Sequence, residues 1–275
     1  MRVRFSHLSG SLPAHLVLAA YSLGILVPLG WMLASSVKSR REIMTSASLL
    51  PSSVDFSGYE RALAGGLPRY MFNSLVVTSV STVLIVVLGS LAAYALARLR
   101  LRLAPALYLI VIGCYAVPLH GILVPLYDLL VALGLTNSLA GLVLPYVAFG
   151  LPFSIMILYA FFAEFPEELI EAARLDGYGE LSILFRVVLP LSLPALTSVA
   201  IFQVISIWNE FLLALLVVSD KAVKTVPLGL LGFRGDYSND WTAILASLVI
   251  SSLPIVVLYV IFQKSFVKSL AGIGK

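Results

Sequence analysis

Two clusters in this sequence carry side chains that could do chemistry, and neither has the makings of a catalytic centre. The first is an acidic island between two long apolar stretches, Glu164-Phe165-Pro166-Glu167-Glu168-Leu169-Ile170-Glu171-Ala172-Ala173-Arg174-Leu175-Asp176-Gly177. Pro166 suits the first helical position, where its missing N–H costs nothing. Glu167 and Glu168 then stand in the first turn, where negative charge favours the helix dipole. Gly177 can take the left-handed conformation that ends a helix. Glu164, Glu167, Glu168 and Glu171 recur at helical spacing and predict one acidic face, leaving Leu169, Ile170 and Ala173 for packing. Such a helix is suited to docking on a protein, because a helix lying on anionic lipid would carry Lys and Arg there.

The second cluster sits within an apolar run. In Ile201-Phe202-Gln203-Val204-Ile205-Ser206-Ile207-Trp208-Asn209-Glu210-Phe211, the residues Gln203, Ser206 and Glu210 are spaced i, i+3, i+7 and are expected on one helix face, with Asn209 on its flank. A carboxylate among apolar membrane residues is expensive and must face a partner helix or an aqueous cavity. Two readings stand: a pathway-facing stripe that meets substrate or a gate, or an interhelical hydrogen-bond network that fixes packing. His120, beside Pro118 and Gly121, either lines that pathway or is an interfacial histidine at a helix end. Asn73-Ser74 reads as an organiser of an interface.

Motifs for other chemistry are missing. There is no G-x-x-x-x-G-K-[ST] phosphate loop, no H-E-x-x-H, no cysteine pair and no nucleophile elbow. His7, His15 and His120 lack metal-ligand spacing, so neither a metal nor a cofactor is expected in this chain. Cys114 is the only cysteine, which excludes an intrachain disulfide.

The elements that must position these clusters are set by composition. Of 275 residues, 60% are hydrophobic and 12% charged, and the mean hydropathy is +1.02. A soluble domain would be about one quarter charged. The chain is therefore read as an integral, all-α, polytopic membrane protein. The net charge of +4 comes with no basic cluster suited to nucleic acid. A helix needs roughly 20 apolar residues to cross the hydrocarbon core, and six stretches qualify, at about 13–37, 70–97, 105–126, 141–162, 189–218 and 242–265. They are expected to form one transmembrane domain over 1–275, with 164–188 as a loop bearing the acidic helix. The third stretch, with Gly113, Pro118, Gly121 and Pro125, and the fourth, with Pro145, Gly150 and Pro152, are expected to be interrupted. Broken helices survive at membrane depth where protein or water satisfies the freed backbone groups.

Six spans put both termini on one side. The short 98–104 turn, with Arg98, Arg100 and Arg102, weighs most because short loops dominate the positive-inside rule. Both termini, that turn and the island are thus expected in the cytosol. No internal repeat is evident, which argues against a secondary transporter.

The island and the segment after it resemble the EAA motif of the membrane subunits of bacterial and archaeal ABC importers. The matching residues are Glu171-Ala172-Ala173-Arg174-Leu175-Asp176-Gly177, then Phe185, then Leu189-Pro190-Leu191-Ser192-Leu193-Pro194. Trp208-Asn209-Glu210-Phe211-Leu212-Leu213-Ala214-Leu215, Asn73-Ser74-Leu75 and Ala92-Ala93-Tyr94-Ala95-Leu96-Ala97-Arg98 are similar to the carbohydrate-uptake branch, of the six-span maltose-permease type. The resemblance implies a type I importer permease fold in a prokaryotic plasma membrane. It also implies a second permease, two copies of an ATPase subunit that bind ATP and Mg, and an extracytoplasmic sugar-binding protein. The short helix would insert into a cleft on the ATPase, with Glu171, Ala172, Ala173, Asp176 and Gly177 as coupling residues. Two features depart from the pattern: Tyr178 stands where a small residue often comes after the glycine, and the tail from Ser269 to Lys275 is short. A permease for an amino acid, polyamine or phosphate ester shares the motif and is the nearest rival reading.

Overall fold

The computed structural model describes residues 12–46, 48–99, 101–233 and 239–272. Arg2, Arg4, His7, Arg100, Arg234, the last three residues and the side chains of 264–272 fall outside that description. One of the three arginines of the 98–104 turn and part of the tail comparison rest on them.

Every regular element among the described residues is helical. In chain order they are α1 (Leu12–Ser36), α2 (Arg40–Thr45), α3 (Ser57–Ala64), α4 (Leu67–Arg98), α5 (Ala104–Ala116), a 3₁₀ turn at Leu119–Ile122, α6 (Leu123–Ala132) and α7 (Ala140–Ala163). After these come α8 (Glu167–Leu175), α9 (Glu180–Ile183), a π turn at Leu184–Val188, α10 (Leu189–Leu191), α11 (Leu193–Trp208), α12 (Leu212–Val217), α13 (Val226–Gly229), a 3₁₀ turn at Leu230–Phe233 and α14 (Trp241–Gly272). Helices α1, α4, α7 and α14 are long and apolar enough to cross a bilayer. Two bent pairs raise the number to as many as six if each pair is one span.

The chain divides into two compact units, residues 1–67 with 232–252, and residues 68–231 with 253–275. The first unit holds α1–α3 and the opening turns of α14. Ser39 caps α2 by accepting from the Glu42 amide at 3.2 Å, the Ser36 and Tyr59 hydroxyls meet at 2.8 Å, and Glu42 accepts from the Ser52 amide at 2.7 Å. Arg61 bridges to Asp240 at 2.7 Å. Burial pushes the Asp240 carboxyl up, but hydrogen bonds from Arg61, Thr242 and the Ala243 amide outweigh it and hold the group at about 2.

The second unit carries both chemical clusters. Its cores are one group around Val77, Ile85, Leu142, Tyr146, Leu213 and Val217, and a second around Ala93, Leu158, Phe162, Ile170, Ile183 and Val199. Asn73 donates to the Ala222 and Lys224 carbonyls at 2.9 Å each, and Ser74 accepts from the Val226 amide at 2.8 Å. The Asn-Ser pair thus pins the 222–226 connection to α4.

Three sequence-based boundaries are corrected. The third stretch, expected at 105–126, is two helices meeting at 85°, residues 104–116 and 119–132. Pro118 has no N–H to continue α5, and Val117 before it is extended at ψ 116°. The fifth, expected from 189 to 218, turns by 81° at Ser192 and ends at Trp208. There Pro194 cannot donate into the preceding turn and opens a new helix instead. The fourth stretch, expected to be interrupted, is the continuous 24-residue α7 with Pro145 and Pro152 inside it. Within it, Gly150 O accepts from Ser154 Oγ at 2.8 Å and from Gln203 Nε2 of α11 at 3.1 Å.

Candidate functional site

Helix α8 is the acidic island folded as its sequence demands, displaced by one residue. Pro166 is the N-cap (φ −56°, ψ 122°) and Glu167 the first helical residue, so the expected proline position moves back by one. Glu167 and Glu168 still occupy the first turn, where they complement the orphan amides. Ile170 and Ala173 are buried, packed among Phe162, Phe165, Ile183, Leu184 and Val188. Leu169, expected to pack with them, is half exposed instead. Leu175 is 89% exposed. Glu168, Glu171, Ala172, Leu175 and Asp176 form the free face of the helix.

The helix stops at Gly177, whose φ is +83°. The Tyr178 amide reaches the Ala173 carbonyl and the Gly177 amide the Arg174 carbonyl, each at 3.0 Å. That pair of bonds is the Schellman closure of an α-helix. A Cβ built on Gly177 meets nothing within 4 Å. Substitution there is opposed by backbone conformation and not by crowding.

Five charged or hydroxylated side chains brace α8 at both ends. At its start, Arg98 donates Nη1 to Glu167 at 2.6 Å and Nε to the Phe162 carbonyl at 2.7 Å. Its Nη2 reaches the Ala163 carbonyl at 3.3 Å and the Phe165 carbonyl. At its end, Arg174 bridges Glu180 at 3.0 Å and Glu167 at 3.7 Å. Tyr94 donates to the other Glu180 oxygen at 2.7 Å. That hydroxyl, with Arg174 adding to it against burial, holds the Glu180 carboxyl below the usual range. The bond to Glu180 in turn raises Arg174.

Of the sequence-predicted coupling residues, Glu171, Ala172 and Asp176 lie on the free face, Gly177 forms the closure, and Ala173 faces inward. The predicted pathway group does not share one face. Helix α11 ends at Trp208 with Asn209 as its C-cap, so Glu210 lies beyond the helix that carries Gln203 and Ser206. Gln203 is 4% exposed and donates to Gly150 O and to Ser154 Oγ, the latter at 3.0 Å. Glu210 accepts from the Tyr146 hydroxyl at 2.6 Å and from the Leu213 and Ala214 amides at 2.8 and 3.2 Å. It thereby caps α12 and ties it to α7. These two polar residues hydrogen-bond neighbouring helices to one another. Ser206, Asn209 and His120 are exposed. Asn209 Nδ2 donates back to the Ile205 carbonyl at 2.8 Å.

Sequence reasoning missed the brace. Arg98 entered as a topological charge and, with Tyr94, as part of a segment similar to the carbohydrate-uptake branch, Arg174 as part of the EAA match and Glu180 not at all, and none was given a part in bracing α8. The one available signal was an arginine ending a long apolar helix with an acidic helix still to come in the chain. It also missed the aromatic series in which Tyr115 lies against Phe153 (centroids 6.0 Å apart) and Phe153 stacks on Phe202 at 4.2 Å.

Long apolar helices, two apolar helix pairs bent at a break, and a braced amphipathic helix after α7 mark a multi-pass membrane protein. The chain belongs to the family described as the binding-protein-dependent transport system inner membrane component, whose model matches residues 64–272. It is a transport component and not a catalytic one, and the EAA island and its helix fit that family.

Relatives span nearly the whole chain. It is 35% identical over 252 residues to a probable ABC transporter permease protein, YurM, of Bacillus subtilis, covering 92% of this chain and 84% of that one. It is 33% identical to the diacetylchitobiose uptake system permease protein NgcG of Streptomyces coelicolor, over 94% of this chain and 86% of that one. It is 34% identical to the trehalose/maltose transport system permease protein MalG of Thermococcus litoralis, over 90% of each. Among solved structures, a chain of a bacterial ABC transporter involved in importing the acidic polysaccharide alginate superposes with a TM-score of 0.82. It is 24% identical over 97% of this chain and 99% of that one, a likeness that speaks to the fold.

Proposed function

We propose that this chain is one permease half of an ATP-driven sugar importer and that α8 is its coupling helix. A second permease completes the pathway, two ATPase subunits bind and hydrolyse ATP with Mg, and an extracytoplasmic protein delivers the sugar. Both termini, the 98–104 turn and α8 face the cytosol. The observation that carries the reading is a short helix whose apolar side is packed on the bundle and whose ends are braced. Its acidic outer face and bare Leu175 are left for another protein. A side chain as large and apolar as Leu175, nearly all of it in solvent, is suited to a pocket on a partner. The permeases named for diacetylchitobiose and for trehalose and maltose support sugar as the substrate class.

The mechanism is mechanical. Closure of the ATPase pair displaces α8, and the helices on which it is packed move with it. The pathway then switches from inward to outward access, which requires a contact whose energy differs between the two states. Glu171→Lys reverses the charge of the docking face, and Gly177→Asp places a strained residue at the helix closure. Both variants are expected to insert normally and to lose about tenfold or more of sugar uptake, the size of a typical coupling energy. Radiolabelled sugar uptake, normalised to membrane expression, makes the check. Unchanged uptake by both variants refutes the coupling role, whereas intact uptake of an amino acid with no sugar uptake in the wild type refutes the substrate class alone.

A further inference from the structure

Arg98 is the last residue of α4, yet its guanidinium is directed entirely at the junction between α7 and α8. Nε and Nη2 reach the carbonyls of Phe162, Ala163 and Phe165, and Nη1 reaches the Glu167 carboxylate. Phe162 and Ala163 are in the last turn of α7, whose carbonyls have no partners within the helix. Phe165 lies in the three-residue elbow 164–166, and Glu167 opens α8. One rigid, planar fork thus holds the end of one helix, the elbow and the beginning of the next. Its side chain is 11% exposed and that of Glu167 40%, and the bonds are charge-assisted.

Within the elbow, the Glu164 and Phe165 amides both reach the Phe162 carbonyl, the latter at 3.3 Å, and Pro166 brings no N–H for a further bond. Resting on the reading of α8 as coupling helix, we infer that Arg98 is the positioning residue that makes the α7–α8 elbow rigid, so that a push on α8 moves α4 and α7 and is not absorbed by bending at 164–166. A plain helix C-cap would need one or two carbonyl contacts. The additional ion pair to Glu167 joins the pushed helix to the span that receives the push. Lysine offers a single charged centre and cannot reach acceptors spread along the chain from residue 162 to 167 in one geometry.

The test uses the assembled complex of both permeases, the ATPase pair and the binding protein in vesicles, reading ATP hydrolysed per sugar moved. Arg98→Gln is expected to keep the ATPase bound and its hydrolysis within about twofold, while ATP per sugar rises about tenfold. Arg98→Lys is expected to recover less than half of the loss. Spin labels at Leu99→Cys and Leu175→Cys in a Cys114→Ser background give the mechanical readout: one narrow distance distribution with Arg98, a broad one with Arg98→Gln. An unchanged ratio with an unchanged width overturns the inference. If Arg98→Gln does not assemble, Glu167→Ala decides, because it keeps the three carbonyl contacts and removes the link from Arg98 to α8, together with the longer 3.7 Å pair to Arg174. It is expected to raise the ratio about fivefold, and no rise overturns the inference. Failure of the underlying reading is distinct, since the wild-type complex would then hold no ATPase or move no sugar.

Discussion

Glu210 shows how a side chain that invites a functional reading can be fully engaged in local hydrogen bonds. A carboxylate amid apolar residues invites a substrate role, but here its oxygens receive three hydrogen bonds from the Tyr146 hydroxyl and the Leu213 and Ala214 amides. Those amides begin α12 after the break at 209–211, where a helix start has no internal acceptors for them. Glu210→Leu leaves three donors unpaired in a half-buried site, at about 1–3 kcal/mol for each such group. The expected outcome is a lowered unfolding temperature of the detergent-solubilised protein, with ATPase binding retained. An unchanged temperature with altered transport would instead return Glu210 to the pathway. Arg98 is the converse case, a topological charge in the sequence and the centre of a brace in the fold. Its part was illegible because three of its four acceptors are main-chain carbonyls more than 60 positions away, and carbonyls leave no mark on a sequence.

At the scale of the helix, hydropathy was sufficient for α4, α7 and α14, whose apolar runs dictate both existence and approximate length. It was insufficient where proline decided the outcome. Pro118 and Pro194 end and begin helices, whereas Pro145 and Pro152 ride inside one. Hydropathy does not distinguish the two cases. Two residues before Pro152, the Gly150 carbonyl is met by Gln203 from α11, a close approach made at a residue with no side chain. A Cβ on Gly150 would lie 2.4 Å from Ile85 Cδ1 and 2.9 Å from Gln203 Oε1. Gly150→Ala is therefore expected to push the ends of the Ile85 and Gln203 side chains aside, disturb the Gln203 bonds and destabilise the protein by about 1 kcal/mol, despite the better helix propensity of alanine. A thermal melt in detergent checks it, and a raised midpoint would mean that the crossing is looser than these distances. The amphipathic α8, by contrast, was legible almost to the residue, because its caps, first-turn acids and closing glycine are all local signals.

For the whole molecule, the two clusters stand in different settings. The polar residues around Glu210 and Gln203 hold α7, α11 and α12 together inside the bundle, while α8 is held to the bundle and turned outward. Membership of a transport family explains why a chain so apolar keeps this acidic, exposed helix. The account stands on that helix facing the cytosol and meeting an ATPase there. Cys114 is the only native cysteine, so Ala172→Cys in a Cys114→Ser background gives a single reporter on the free face. The decisive measurement is its labelling by a membrane-impermeant maleimide. The account predicts no labelling in intact cells, labelling in inverted vesicles stripped of ATPase, and protection when the ATPase is added back. Labelling from outside the cell, or equal labelling with and without the ATPase, would contradict it.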